Sequence, residues 1–426
     1  MYLDYLRKKE DIMKQIRMLC KMISNKGVRY NFLSLHNKFK KSPQYKLRNF
    51  YYCCKNVIKH ERLLIHEGNY IVNSFFPPIN SYAFYQIAMR VPGEGAAFFE
   101  NHTTGKRLAP ISTYIAVTHK CMYHCWHCSA SRFMDNTNED MTTEQFLTVV
   151  KKIRELGVGV IGFTGGEPLL RKDLEQAISL ASAPSENIKT KKLNLMHSMT
   201  LVFTTGFGLN LERAQSLKNA GLFGIAISLD GISPVEHNKM RGVDGAFEKA
   251  VIAIKNAKKV GLYTMCQTVC TKDLLHSGGI YKIAEFAKTL GIDEMRIMEP
   301  IPCGSLQEHP KEILTKEEQN KLISIHIEMN ENKRYPKVSV FPYIESEAQY
   351  GCGAGSQHSF IDADANFGPC DFLPISYGNL LTEDAELIWK RMHEEIGKPK
   401  CSCYAKCKEN KVKLPMYYQL LRGTVK

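Results

Sequence analysis

Short apolar runs alternate with longer amphipathic segments between about residues 110 and 310. The apolar runs predict six strands, at 113–117, 158–164, 201–204, 224–228, 263–268 and 294–298. Apolar residues at helical spacing predict helices that include 143–156, 211–219, 246–260 and 280–290. Six successive strand-then-helix units imply a parallel sheet with right-handed crossovers. We therefore expect an α/β fold in the form of a partial (β/α)6 barrel of the TIM type.

The segments on either side of this alternation have other patterns. Residues 1–60 carry apolar residues at roughly helical spacing, whereas 75–81, which contains two prolines, indicates a linker or turn. The stretch 97–108 could form a hairpin closed at Thr104-Gly105. After residue 320, cysteines among glycines and short strand-like pieces favour a small metal-organised domain over a seventh barrel unit. The predicted parts are a basic, mainly helical region at 1–105, the barrel at 106–320 and a Cys-rich domain at 321–426.

Composition narrows the class of protein. The 426 residues contain no run of 18 apolar residues and no cleavable signal pattern, so a membrane span and secretion are not expected. Disulfide frameworks belong mainly to small secreted domains, and clustered cysteines in a large chain without a signal favour metal ligation. The 14 cysteines therefore indicate a reducing, cytoplasmic location.

Positive charge is concentrated near the N-terminus. Residues 1–60 hold fifteen Lys or Arg against three acidic residues, which accounts for most of the net charge of +14. Such a block favours an anionic partner, although a solvated helical surface would show the same pattern. The interleaved apolar residues fit peripheral membrane contact through residues 1–60. Nucleic acid is not expected, because no stacking or groove-reading module accompanies the charge.

Three cysteines lie within eight residues, directly after the first predicted strand: Cys121, Cys125 and Cys128. Cysteine thiolates hold iron–sulfur clusters, and three thiolates leave one corner of a four-iron cubane open to an outside ligand. Zinc is the alternative, with His124 or His127 completing a closed site. The chemistry of such barrels lies at the carboxyl ends of the strands, which is where these cysteines are expected.

Two further motifs follow later strands. One is a Gly-Gly-Glu-Pro run formed by Gly165, Gly166, Glu167 and Pro168. Adjacent glycines let a ligand approach the backbone closely, and the carboxylate can accept hydrogen bonds from an ammonium group, although an ordinary turn would also fit. The other consists of Ser228-Leu-Asp230-Gly, followed by Arg241.

In this order, the motifs resemble those of the radical SAM superfamily. The resemblance implies a 4Fe–4S cluster on the three cysteines, whose open iron binds S-adenosylmethionine. It also implies that the Gly-Gly-Glu-Pro run contacts the cofactor's amino group, that Ser228 and Asp230 line its site, and that Arg241 meets its carboxylate. Asp230 in a turn and Arg241 on the surface are the structural alternatives. Thr205 stands where relatives often have the Asn of an Asn-Gly pair, a departure at a position linked to a ribose contact.

The C-terminal cysteines resemble the SPASM or twitch domain that follows the barrel in peptide-modifying radical SAM enzymes. The candidate ligands are Cys352, Cys370, Cys401, Cys403 and Cys407. Relatives have a longer cysteine array, and five thiols suffice for only one four-cysteine cluster. We therefore expect one auxiliary 4Fe–4S cluster, on Cys352, Cys370 and two of the last three. Cys303 is a further candidate, and the remaining cysteines are expected in the core.

The resemblance implies an oxidoreductase or maturase that cleaves S-adenosylmethionine reductively to a 5′-deoxyadenosyl radical, which takes hydrogen from a substrate C–H bond. No catalytic side chain is assigned, and an electron donor such as flavodoxin or ferredoxin is implied. The domain type favours a ribosomal peptide or protein substrate. A membrane lipid or a carboxylate-bearing tetrapyrrole is the alternative. A non-catalytic iron–sulfur electron-transfer protein is the alternative from another class, and the intact cofactor motifs disfavour it.

Overall fold

The computed structural model describes residues 18–40, 58–91, 107–132, 134, 139–184, 192–346, 349–397 and 403–406. Its strands are β1 Leu64–His66, β2 Asn69–Ile71, β3 Ser112–Ala116, β4 Val160–Thr164, β5 Met199–Thr204, β6 Gly224–Ser228, β7 Tyr263–Val269, β8 Glu294–Met298, β9 Lys337–Val340, β10 His358–Ile361 and β11 Phe367–Gly368. Its helices are α1 Lys26–Phe39, α2 Tyr82–Met89, α3 Thr143–Leu156, α4 Leu174–Ser182, α5 Leu211–Asn219, α6 Pro234–Arg241, α7 Ala246–Lys259, α8 Lys272–His276, α9 Gly279–Thr289, α10 Lys316–Glu331, α11 Phe341–Ile344 and α12 Ala385–Ile396. None of these helices is long and apolar enough to span a bilayer.

One large sheet organises the chain, in the order β11-β10-β3-β4-β5-β6-β7-β8-β9. Strands β3 to β9 pair as consecutive parallel neighbours, and β10 adds in parallel to the outer side of β3. Each predicted strand lies within two residues of an observed one at both ends. The predicted α/β fold, a partial TIM-like barrel, is therefore confirmed.

Helix α3 shows how the outer layer of the barrel forms. It begins at a capping box, in which Thr142 accepts the Gln145 N–H and the Gln145 side chain accepts the Thr142 N–H, and it ends at Gly157 in the left-handed region. Its apolar stripe, which includes Phe146 and Val150, is fully buried in the same core as the sheet residue Ile161. Truncation of Phe146 to Ala would cost about 3–5 kcal/mol.

The prediction that no seventh unit follows the sixth strand is wrong. Strand β9 pairs in parallel with β8, with Lys337 opposite Glu294. The polar residues Lys337 and Ser339 interrupt the apolar pattern of this strand, and both are nonetheless buried. Since α10 crosses positions 320 and 321, the predicted domain boundary falls inside a helix. The division of the chain into domains stays a prediction.

The segment that leads into the barrel closes its amino end. Glu61 forms an ion pair with Lys337, and Ser74 donates a hydrogen bond of 2.7 Å to Glu294. Of the linker or turn predicted at 75–81, the turn is confirmed, since the chain turns at 75 and again at 79–80. The segment is packed, because Ile79 is buried and the Phe75 ring lies 4.2 Å from the Arg296 guanidinium. Pro77, Pro78 and Asn80 are buried in this irregular segment. The predicted hairpin at Thr104-Gly105 lies outside the described residues, as does most of the basic block.

Candidate metal and cofactor site

The sequence motifs converge at the carboxyl edge of the sheet. The cysteine loop follows β3, the Gly-Gly-Glu-Pro run follows β4, and Thr205 follows β5. Ser228 is the half-buried last residue of β6. Because neighbouring parallel strands end together, these residues share one rim of the barrel.

The two glycines allow close contact between the β4 loop and the cysteine loop. The Gly166 N–H donates to the Thr118 carbonyl at 2.9 Å, and the Glu167 N–H donates to the Lys120 carbonyl at 2.8 Å. A Cβ on Gly166 would lie 2.0 Å from the Lys120 oxygen, and one on Gly165, where φ is +124°, would lie 2.7 Å from the Thr118 oxygen. Any side chain here would therefore displace the backbone that leads to Cys121.

Glu167 joins the ends of β4 and β5. One carboxylate oxygen accepts hydrogen bonds from the Thr204 hydroxyl (2.6 Å) and the Leu169 N–H (3.0 Å). The other accepts from the N–H (2.8 Å) and the hydroxyl (2.6 Å) of Thr205. Burial raises the pKa of Glu167, and these hydrogen bonds oppose the rise. All four of these hydrogen bonds come from the protein itself. Cofactor contacts of Glu167 and Thr205 therefore stay predictions.

Arg241 and Asp230 form a buried ion pair beside the cysteine loop. The Asp230 side chain is fully buried and accepts the Val269 N–H at 3.0 Å. Burial opposes its ionisation, but the charge of Arg241 holds the pKa of Asp230 below its ordinary value. An Arg241 Nη lies 3.7 Å from the Cys125 Sγ. The surface alternative for Arg241 is therefore wrong, and its contact with a cofactor carboxylate stays a prediction.

The three cysteines of the loop are partly exposed. Burial raises the pKa of Cys121 to about 12 and that of Cys128 to about 11, although the Cys121 sulfur accepts the Tyr123 N–H at 3.4 Å. His127 points its Nε2 towards Asp230, at 3.9 Å from the carboxylate. Among the described residues, these three thiols form no compact ligand group, either with one another or with an imidazole or carboxylate.

The described cysteines of the C-terminal region come together near the same rim. Cys303, Cys352 and Cys403 belong to one buried cluster, and Cys370 packs against it. The Cys352 sulfur accepts the Tyr404 N–H at 3.4 Å and the Cys370 sulfur accepts the Phe372 N–H at 3.5 Å, contacts that suit thiolate ligands of iron–sulfur clusters. A hydrogen bond with Cys403 lowers the pKa of Cys352 below its ordinary value. Cys401 and Cys407 lie outside the described residues.

Arg132 ties the cysteine loop to this second cluster. Its guanidinium donates to the Asp371 carbonyl at 2.8 Å and to the Phe372 carbonyl at 3.2 Å. The Ser305 N–H donates to the Cys128 carbonyl at 3.0 Å. A small cavity of about 40 Å3 lies between the two parts, lined on one side by Gly165 and Gly166 and on the other by Asp371 and Phe360. A larger one of about 90 Å3 reaches Tyr114 and Arg296 inside the barrel.

Residues 115–275 match the model of the Radical SAM superfamily. This segment is a radical SAM domain. It runs from within β3 to within α8 and contains the loop cysteines, the Gly-Gly-Glu-Pro run and the Asp230–Arg241 pair. Radical SAM enzymes use a 4Fe–4S cluster and S-adenosylmethionine, and the half-exposed thiols with their N–H and guanidinium neighbours fit a cluster of this kind.

Proteins similar to the radical SAM domain and its surroundings have several activities. An AdoMet-dependent heme synthase of Nitratidesulfovibrio vulgaris is 26% identical over 298 residues, which are 65% of this chain and 77% of that protein. A probable GTP 3',8-cyclase of Sulfolobus acidocaldarius is 34% identical over 45% of this chain and 56% of its own. A PqqA peptide cyclase of Rhizobium meliloti is 24% identical over 58% of this chain and 61% of its own.

Solved structures agree with the fold of the radical SAM domain and of the chain beyond it. Streptococcus suis SuiB bound to the precursor peptide SuiA has a TM-score of 0.54 at 15% identity, over 76% of this chain and 77% of that one. The AdoMet-bound anSMEcpe has a TM-score of 0.51 at 20% identity, over 67% of this chain and 82% of that one.

Sequence reasoning missed three participants of the site. Thr204 and Arg132 act through hydrogen bonds that no motif encodes. Glu345 lies with Cys352 and Cys403 in a compact group of metal-binding side chains, although it belongs to no cysteine-spaced pattern. A single acidic residue after an apolar run gives no signal of its own.

Proposed function

We propose that this protein is a radical SAM maturase that oxidises or crosslinks a ribosomal peptide or protein. The observation that carries the proposal is the shared rim. There the Gly-Gly-Glu-Pro run is hydrogen-bonded to the backbone that leads to Cys121, and it lines a cavity whose other wall includes Asp371, next to Cys370. The relative named PqqA peptide cyclase and the peptide-bound SuiB support a peptide substrate.

In this proposal, Cys121, Cys125 and Cys128 hold the cluster that binds S-adenosylmethionine. When bound and reduced, this pair of cofactors supplies a 5′-deoxyadenosyl radical that takes hydrogen from a substrate C–H bond. The chain's own residues position these cofactors and shield them from solvent. Gly165 and Gly166 keep the backbone at the rim free of side chains, and Arg241 places a positive charge beside the Cys125 sulfur.

The C-terminal thiols are proposed to hold a second metal group. Cys352, Cys370 and Cys403 are the described ligand candidates for one auxiliary cluster, and Cys401 or Cys407 would supply a further thiolate. Its role is to accept the electron left on the product or to bind substrate directly. An external donor such as flavodoxin or ferredoxin supplies electrons from outside the chain.

Cofactor cleavage tests the enzymatic part directly. Full-length protein reconstituted without oxygen, given dithionite and S-adenosylmethionine, should release 5′-deoxyadenosine, measured by mass spectrometry. Cys125→Ser should abolish this release, whereas Cys20→Ser, on an exposed helical cysteine, should not. Absence of 5′-deoxyadenosine with several reductants would favour the non-catalytic electron-transfer alternative.

The peptide part needs a separate measurement. A short peptide encoded beside the gene, incubated with the reconstituted protein, should lose the mass of the hydrogen removed. Cys352→Ala and Cys370→Ala should leave cofactor cleavage largely intact and abolish the peptide product. Full product formation by both variants would show that an essential auxiliary cluster is wrong.

Tetrapyrrole tailoring is the second candidate, because two relatives at 26% identity are named heme synthases. A carboxylate-bearing tetrapyrrole should then bind with a shift of its main absorption band and be consumed with S-adenosylmethionine. An unchanged spectrum would remove this candidate. Membrane contact through residues 1–60, with a lipid substrate, stays a prediction that flotation with anionic vesicles tests.

A further inference from the structure

A carboxylate that no motif singles out lies among the C-terminal thiols. Glu345 follows the short helix α11, and its N–H donates to the Phe341 carbonyl at 2.9 Å. A carboxylate oxygen of Glu345 and the sulfurs of Cys352 and Cys403 all lie within 4.8 Å of one another. These three atoms therefore have the spacing of a ligand set around a metal.

The hydrogen bonding of the Glu345 carboxylate differs from that of the nearby Glu299 carboxylate. The Oε2 of Glu345 is buried, and no hydrogen bond reaches it from the described residues. The nearby Glu299 is also buried, but its carboxylate accepts hydrogen bonds from Lys406 and Gln319. A buried carboxylate oxygen costs free energy unless it is paired or coordinates a metal. The Oε2 of Glu345 therefore lacks a hydrogen-bond partner among the described residues, whereas the carboxylate of Glu299 has two donors.

The backbone holds the two thiols in place beside Glu345. The Tyr404 N–H donates to the Cys352 sulfur at 3.4 Å, which brings the Cys403 turn onto Cys352. The Lys406 N–H donates to the Cys403 carbonyl at 3.0 Å, and its side chain reaches Glu299. The turn is therefore anchored at both ends. Sites held in this way bind metal with little rearrangement.

We propose that Glu345 is an oxygen ligand of the metal centre that Cys352 and Cys403 hold. The centre is then an iron–sulfur cluster with mixed thiolate and carboxylate ligation. This inference rests on the auxiliary cluster of the proposed function and puts Glu345 at the corner assigned there to Cys401 or Cys407. A carboxylate is a harder ligand than a thiolate, so the iron that it binds differs chemically from the others.

The test isolates this centre in the full-length chain. Cys121→Ala, Cys125→Ala and Cys128→Ala are combined, so that iron retained after oxygen-free reconstitution belongs to the C-terminal region. Iron and sulfide per chain, electron paramagnetic resonance after reduction, and the rate of iron loss to a chelator are then measured. Adding Glu345→Gln should accelerate iron loss by about tenfold or more and change the spectrum. Glu328→Gln, which changes an exposed carboxylate bonded to Tyr281, should do neither.

A second variant separates ligation from misfolding. Glu345→Cys places a thiolate at the same position, so it should retain iron and give a spectrum different from that of the parent. Retention of iron with an unchanged spectrum in Glu345→Gln would overturn the ligand assignment, and so would failure of Glu345→Cys to retain iron. A parent without any iron would instead overturn the auxiliary cluster itself. Release of 5′-deoxyadenosine by the wild-type protein is measured separately and is unaffected by either result.

Discussion

Replacement of Glu167 by Gln should destabilise the rim at which the cofactor is expected to bind. Each oxygen of this buried carboxylate accepts one backbone N–H and one threonine hydroxyl, from Leu169 and Thr204 on one side and from Thr205 on the other. A glutamine side chain has one acceptor oxygen and one NH2 donor. Whichever way the amide turns, its NH2 meets a backbone N–H that cannot rotate away.

The cost follows from this geometry. A hydroxyl can turn to accept from the new NH2, so the threonines adapt, but one N–H of Leu169 or Thr205 loses its acceptor. A buried polar group left without a partner costs about 1–3 kcal/mol. The hydrogen bonds that remain also lose their charge, whereas the variant gains by removing a buried charge. We therefore expect the free energy of unfolding to fall by about 2 kcal/mol.

Denaturant unfolding followed by circular dichroism measures this change. The midpoint should move to lower denaturant with an unchanged slope, which shows that stability rather than compactness has altered. Glu144→Gln, on the exposed first turn of α3, should stay within about 0.5 kcal/mol of the wild type. Calorimetry on reconstituted protein should show weaker binding of S-adenosylmethionine for Glu167→Gln. A stability equal to or above that of the wild type would refute the account and indicate a protonated Glu167.

Three other changes test the rim and a remote helix. Gly166→Ala should lower the iron bound by the loop cysteines, measured after reconstitution, because its Cβ would lie 2.0 Å from a backbone oxygen. Arg241→Gln should lower the reduction potential of that cluster in an electron paramagnetic resonance titration, since it removes a positive charge near Cys125, whereas Arg241→Lys should restore most of it. The Thr315 N–H, with neighbouring cations, lowers the pKa of Glu318 to about 2 from an ordinary 4.5. The stability lost in Glu318→Gln should therefore be constant above about pH 4.5 and vanish as the pH falls towards 2.

The barrel was predictable because its strands are buried on both faces and its helices are not. A parallel strand such as β6 reads as a continuous apolar run, and α3 carries an apolar stripe between a capping box and a glycine. Local pattern and tertiary environment agree in these elements. The same agreement fails for β9, where Lys337 is buried only because Glu61, far away in sequence, pairs with it. No local pattern can report a partner of this kind.

The candidate site was predictable to the extent that its chemistry depends on spacing. Cysteines three and four positions apart, and two adjacent glycines, are visible in the sequence alone. The roles of Glu167 and Arg241 were less visible, because each side chain is engaged by the protein in contacts that arise only when separate strands meet. Glu345 gave no signal, since its significance comes from two cysteines that follow it in the chain.

The contacts of Arg132 bear on how the two metal-binding regions work together. This side chain follows Cys128 by four positions and holds the carbonyls of Asp371 and Phe372, which directly follow Cys370. A shift of either cysteine loop would therefore be transmitted to the other through one guanidinium. The cavity between them is bounded by Gly166 on one side and Asp371 on the other. The two regions therefore flank one cavity, and the hydrogen bonds of the Arg132 side chain contribute to setting their separation.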